Sequence, residues 1–149
     1  MKFKDTKYGD LTGQVYHGDI DVDEMELTSL EGAPKEVTGH FECYGNELTS
    51  LKYAPEKTGN GFFCAKNKLT SLEYAPKQIG STFDCRENPN LHNQREQIIS
   101  NMIVAKRYFI DSTTNLKASE VHNEIEEYIK KGNAVKSKGF RTLLGLKNV

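Results

Sequence analysis

The tetrapeptide Leu-Thr-Ser-Leu occurs three times, at 27–30, 48–51 and 69–72, and this fixed 21-residue period constrains the fold more than any other feature of the chain. The register runs through the whole unit. Ala33-Pro34, Ala54-Pro55 and Ala75-Pro76 align, as do Phe41, Phe62 and Phe83, then Cys43, Cys64 and Cys85, then Asn46, Asn67 and Asn88. A degenerate half-copy precedes them: Gly18-Asp19-Ile20-Asp21-Val22, then Leu27, puts Ile20 in the Phe column and Val22 in the Cys column. A unit this short cannot bury its own apolar face and becomes stable only by stacking on its neighbours, which is the logic of a solenoid. The array is divided into a half-repeat at 18–26 and full repeats at 27–47, 48–68 and 69–90, together a solenoid domain over 1–90.

Each unit has a physical reading. Phe41 and Cys43 are spaced by two, so the segment is a short strand with both side chains pointing inward. The chain then turns, and a buried Asn amide bonds backbone groups that the turn leaves unpaired. Leu-Thr-Ser-Leu adds two more apolar side chains. Ala-Pro predicts a polyproline-like or tight-turn return on the convex side, since Pro lacks a donor and restricts the residue before it.

The motif Phe-x-Cys-x-x-Asn-x-Leu-Thr-Ser-Leu-x-x-Ala-Pro resembles the short-period bacterial leucine-rich repeats of secreted effectors, whose return segment also contains proline. It is more similar still to the small leucine-rich-repeat proteins of tailed bacteriophages. The opening Met1-Lys2-Phe3-Lys4-Asp5-Thr6-Lys7-Tyr8-Gly9-Asp10-Leu11-Thr12-Gly13 and the exit Asn88-Pro89-Asn90-Leu91 add to the likeness, which covers roughly residues 1–110. The resemblance implies a leucine-rich-repeat array. It also implies a phage-encoded protein acting on a host protein, as an inhibitor or modulator of host machinery or defence. A fold hosts many functions, so the activity does not follow from the fold.

The character of the chain changes near residue 90. Residues 1–90 carry 10 Lys+Arg against 15 Asp+Glu, a net of −5, whereas 91–149 carry 10 against 6, a net of +4. Ile98, Ile99, Met102, Ile103, Ala105 and Phe109 follow a helical stripe. A second helix is expected from Ser119, with Val121, Ile125, Tyr128 and Ile129 on one face and Gly132 ending it. Phe140, Leu143 and Leu144 suggest a third, shorter element. The sequence thus predicts an α/β solenoid of short parallel strands, with 91–149 as a C-terminal α-helical cap and basic helical segment.

The motifs of catalysis and metal binding are missing. The cysteines sit in one column that also accepts Val22, so they read as small core hydrophobes rather than zinc ligands, which favour close pairs such as Cys-x-x-Cys. His17, His40, His92 and His122 are scattered, and no nucleophile, phosphate-loop or zinc-protease motif occurs. The expectation is a non-enzymatic protein without cofactor or metal. No apolar run approaches the roughly 20 residues of a membrane span. The opening residues lack a signal-peptide pattern, so the cytoplasm of the host cell is the expected location and no membrane contact is expected.

Two surfaces stand out. The outward strand positions, expected on the concave face, read across units as Asp19, His40, Gly61, Thr82; Asp21, Glu42, Phe63, Asp84; Asp23, Tyr44, Ala65, Arg86; and Glu24, Gly45, Lys66, Glu87. Tyr44 and Phe63 are the expected contact centre of a protein-binding site, framed by Asp21, Asp23, Glu24, Glu42, Lys66 and Arg86, since aromatics supply binding energy and charges steer. The host partner would carry a basic patch. The other surface is the tail, where Lys130, Lys131, Lys136, Lys138, Arg141 and Lys147 occur with no acid from residue 130 onward. These residues could meet an acidic partner or phosphates, so the alternatives are a nucleic-acid-associated protein and a virion or assembly component.

Overall fold

A computed structural model describes residues 1–91 and 107–109. Those residues form a parallel β-solenoid of about three turns, and its period is the 21 residues of the sequence repeat. One sheet has four strands, β1 (Val15–Tyr16), β3 (Glu36–Val37), β5 (Lys57–Thr58) and β7 (Gln78–Ile79). The other has five: β2 (Ile20–Asp21), β4 (Phe41–Glu42), β6 (Phe62–Phe63), β8 (Thr82–Asp84) and β9 (Arg107–Phe109). Every pair is parallel. Ile20, Phe41, Phe62 and Phe83 lie in register, so the columns of the sequence are ladders in space.

The core between the sheets is built from these columns. Phe41 and Phe62 stack at 5.7 Å between ring centroids, with Cys43, Cys64, Leu48, Leu51, Leu69 and Leu72 buried beside them. The four-stranded sheet adds Val37, Thr58 and Ile79 from its inner face. The N-terminal segment closes the first turn. Phe3 is fully buried and stacks on Phe41 at 6.1 Å, while its N–H donates to Ser29 O at 3.1 Å and Lys4 N–H to Glu31 O at 2.9 Å.

The corner between the sheets has little room. An added Cβ at Gly80 would sit 1.7 Å from Gly59 O, and one at Gly59 would sit 2.0 Å from Thr38 O. Successive turns touch backbone to backbone there, which a side chain would prevent.

One expectation is narrowed and two are corrected. Of the polyproline-like and tight-turn readings of the return segment, the tight turn is the one that forms. Ala33, Ala54 and Ala75 close hydrogen-bonded turns onto Leu30, Leu51 and Leu72, with Gly32, Tyr53 and Tyr74 left-handed at φ +99°, +74° and +71°. Two residues beyond each Pro the chain enters the four-stranded sheet, because β-branched Val37 and Ile79, and Thr58 between them, fit a pleated, half-buried surface. Second, the described residues are all-β rather than α/β, and their helical content is the 3-10 turn Phe3–Asp5.

Third, residues 107–109, assigned to the first helix, form β9 paired with β8. The exposed edge of β8 offers a row of backbone donors and acceptors, and the pairing of Arg107-Tyr108-Phe109 satisfies them. The remainder of the expected cap, 92–106 and 110–149, lies outside the described residues. Among the described residues no helix is long and apolar enough to cross a membrane.

Candidate interaction face

The outer face of the five-stranded sheet carries a row of in-register side chains, Asp21, Glu42, Phe63 and Asp84. The inward and outward alternation is as the sequence implied: Phe41 and Cys43 are buried, whereas Glu42 and Tyr44 are half-buried and face out. Asp23 and Tyr44 occupy the next column, and Glu24, Gly45, Lys66 and Glu87 the turn after it. All four residues of that turn are left-handed, at φ +52°, +69°, +53° and +55°.

Side chains of one turn tie down the backbone of the next. Asp19 Oδ1 accepts from His40 N–H at 2.7 Å, and Asp23 Oδ1 from Tyr44 N–H at 2.7 Å. His40 Nδ1 accepts from Gly61 N–H at 2.9 Å, which leaves the imidazole proton on Nε2. The His40 ring lies tilted against Phe63 at 5.6 Å. Lys66 Nζ sits 5.8 Å from the centroid of Tyr44. The two predicted aromatics are therefore held in place by neighbours on the same face.

Charge is distributed unevenly along this face. The carboxylates of Asp21, Asp23 and Glu42 offer oxygens that all lie within 4.8 Å of one another. A cluster of this kind can accept a cation or a basic side chain. At the other end Arg86 grips Asp84 through both carboxylate oxygens, at 3.0 and 2.9 Å, so the predicted contact residue Arg86 neutralises its own neighbour. The unbalanced negative charge belongs to the first two turns.

Burial raises the ionisation range of Asp23, and the neighbouring Asp21 and Glu24 add to it, against the lowering effect of the Tyr44 N–H. Burial likewise raises Glu42, with Asp23, Asp21 and Asp19 adding to the shift and His40 opposing it. A carboxyl group raised on folding binds more protons in the folded state, so it costs stability at neutral pH, and that stability returns as pH falls through its range. Asp23→Asn/Glu42→Gln keeps the acceptor oxygens and removes the charges. The variant should melt higher than the parent near pH 7, with the gap closing toward about pH 4. A lower melting temperature for the variant at neutral pH would show that these charges do not crowd one another.

The contrast with the four-stranded sheet is informative. Its outward column runs Glu36, Lys57, Gln78 in register, and Lys57 Nζ pairs with Glu36 at 3.6 Å. That face alternates sign and satisfies itself. Asp21 and Glu42 lie directly opposite each other instead, an arrangement that costs stability in a sheet. The predicted residues Asp21, Asp23, Glu24, Glu42, Tyr44, Phe63, Lys66 and Arg86 all fall on the five-stranded sheet or the turn that follows it. Lys130, Lys131, Lys136, Lys138 and Arg141 lie outside the described residues.

Sequence reasoning missed His40 as the link between the acidic row and Phe63. Its 21-residue spacing from Asp19 and Gly61 was the available signal. The chain matches no protein-family model, no curated protein and no solved structure.

Proposed function

We propose that the protein is a non-enzymatic interaction module whose acidic strip, centred on Tyr44 and Phe63, docks a protein bearing a basic patch. One observation carries this reading: Asp21 and Glu42 are stacked in register, and with Asp23 their carboxylates crowd within 4.8 Å, where the other sheet alternates its charges. A surface selected for stability alone would alternate here too. The half-buried aromatics beside the cluster supply apolar contact area at low entropic cost, while the carboxylates steer a cationic partner. The resemblance to leucine-rich-repeat proteins of tailed bacteriophages makes a host protein in the cytoplasm the proposed target, with inhibition or modulation of host machinery or defence as the role.

The test begins with the tagged full chain in bacterial cells. A partner retained after nuclease treatment is purified and titrated against folded variants. Tyr44→Ala and Phe63→Ala should each weaken binding by about 2 kcal/mol. Asp21→Asn/Asp23→Asn should mainly slow association and flatten its salt dependence. Undiminished affinity in a folded Tyr44→Ala/Phe63→Ala variant would remove the strip from the interface, and loss of the captured material on nuclease treatment would favour nucleic-acid binding through the basic tail.

A further inference from the structure

Among the described residues no segment covers the strip, a sheet face with excess negative charge, and the same chain carries a segment of opposite sign. Residues 130–149 contain six Lys+Arg and no Asp or Glu. We propose that this basic segment occupies the acidic strip of its own molecule, so that an external partner binds by displacing it. The proposal rests on reading the strip as a receptor for basic groups.

Two observations set the occupant. The first is where the described residues end. β9 is the outermost strand of the same five-stranded sheet, so residue 109 lies three strand positions from β4 and four from β2. At about 4.8 Å per strand, Asp21 and Glu42 are roughly 14–19 Å away across the sheet. Twenty residues lie between Phe109 and Lys130. They span up to about 70 Å extended and about 30 Å as a helix, so the segment reaches the strip in either conformation.

The second observation is charge. Asp21, Asp23 and Glu42 lie together with no cation paired to them among the described residues, whereas Glu36–Lys57 on the other sheet and Asp84–Arg86 at the far end of the strip are each paired within the fold. Surface ion pairs are individually weak, but a tether raises the local concentration of the tail to around the millimolar range. The expected contact is partial, rapidly exchanging and sensitive to salt. Those properties suit a competitor that a specific partner must outbid.

Spin labelling tests this directly on the full chain. Cys43 and Cys64 are fully buried with thiols pushed up by burial, and Cys85 is buried as well, so Ser137→Cys introduces the one reactive position among the described residues and the tail. With a nitroxide at position 137, the amide signals of Asp21–Glu24 and Glu42–Tyr44 should broaden at low salt. They should recover in about 0.5 M NaCl, where the screening length falls to a few ångströms, and in the Asp21→Asn/Asp23→Asn/Glu42→Gln variant.

Absence of broadening on the strip overturns the proposal. So does broadening seen on isotope-labelled chains that carry no nitroxide when they are mixed with labelled ones, since the occupant is then a second copy. The partner titrations of Tyr44 and Phe63 read the strip independently of the tail. Failure of self-docking with intact Tyr44 and Phe63 effects discards the tail alone, whereas loss of both discards the strip as a receptor.

Discussion

Asn67→Ala should destabilise the protein by about 3 kcal/mol, lowering the melting temperature by on the order of 10 °C, whereas Lys68→Ala beside it should cost under about 0.5 kcal/mol. Asn67 is 4% exposed and sits between two turns of the solenoid. Its Oδ1 accepts from Leu48 N–H at 3.0 Å in the preceding turn. Its Nδ2 donates to Cys43 O at 3.0 Å in that turn, and to Cys64 O and Ala65 O, both at 3.2 Å, in its own. Alanine removes these partners together, and buried backbone groups without partners are costly. Asn46 and Asn88 repeat the pattern, so the amides form a continuous spine. Lys68 by contrast makes an exposed ion pair with Glu47 at 3.5 Å. Thermal melts of the two variants decide the matter, and equal shifts would mean that the amide bonds contribute little.

Cys64→Asp should cost at least about 4 kcal/mol, and Cys64→Val less than about 1.5. Cys64 is fully buried, and its thiol donates to Asp84 O at 3.3 Å. That carbonyl also accepts from Cys64 N–H at 2.9 Å, so valine leaves it satisfied. Valine is already the solution in the first turn, where Val22 is buried in the same column. An aspartate would place a carboxylate among Phe62, Phe83 and Leu69 with no countercharge, or take up a proton to avoid it. Denaturant unfolding compares the two variants. A Val variant as damaged as the Asp variant would show that the thiol does more than fill space.

Much of this was readable because a repeat exposes its own columns. Phe, Cys, Asn and Leu recur at fixed offsets, and period-2 spacing assigns the inward and outward faces. The Asn role followed from the same logic, as did the acidic row Asp21, Asp23, Glu42. The second sheet escaped because its strands are two residues long and its outward residues, Glu36, Lys57 and Gln78, differ in every turn. The inward residues Val37, Thr58 and Ile79 carried the signal, two of them aliphatic and all three β-branched at the repeat spacing. The burial of Phe3 was not legible either, since no periodic neighbour points to it. Phe109 ends an apparent helical stripe that spans Arg107 and Tyr108, and the open edge of β8, a tertiary feature, decides otherwise.

The corner where Gly59 and Gly80 lie against the carbonyls before them has a further consequence. Contact at that point is backbone on backbone, so it depends on the step between turns and not on which side chains the turns carry. Whole units can therefore be gained or lost by duplication or deletion in steps of 21 residues, each surviving unit meeting the same kind of neighbour as before. The negative charge is concentrated in the first two units and the aromatic pair ends at Phe63, so extra copies can be added after residue 68 while that end of the molecule keeps its chemistry. Length and recognition are, in this architecture, separately heritable.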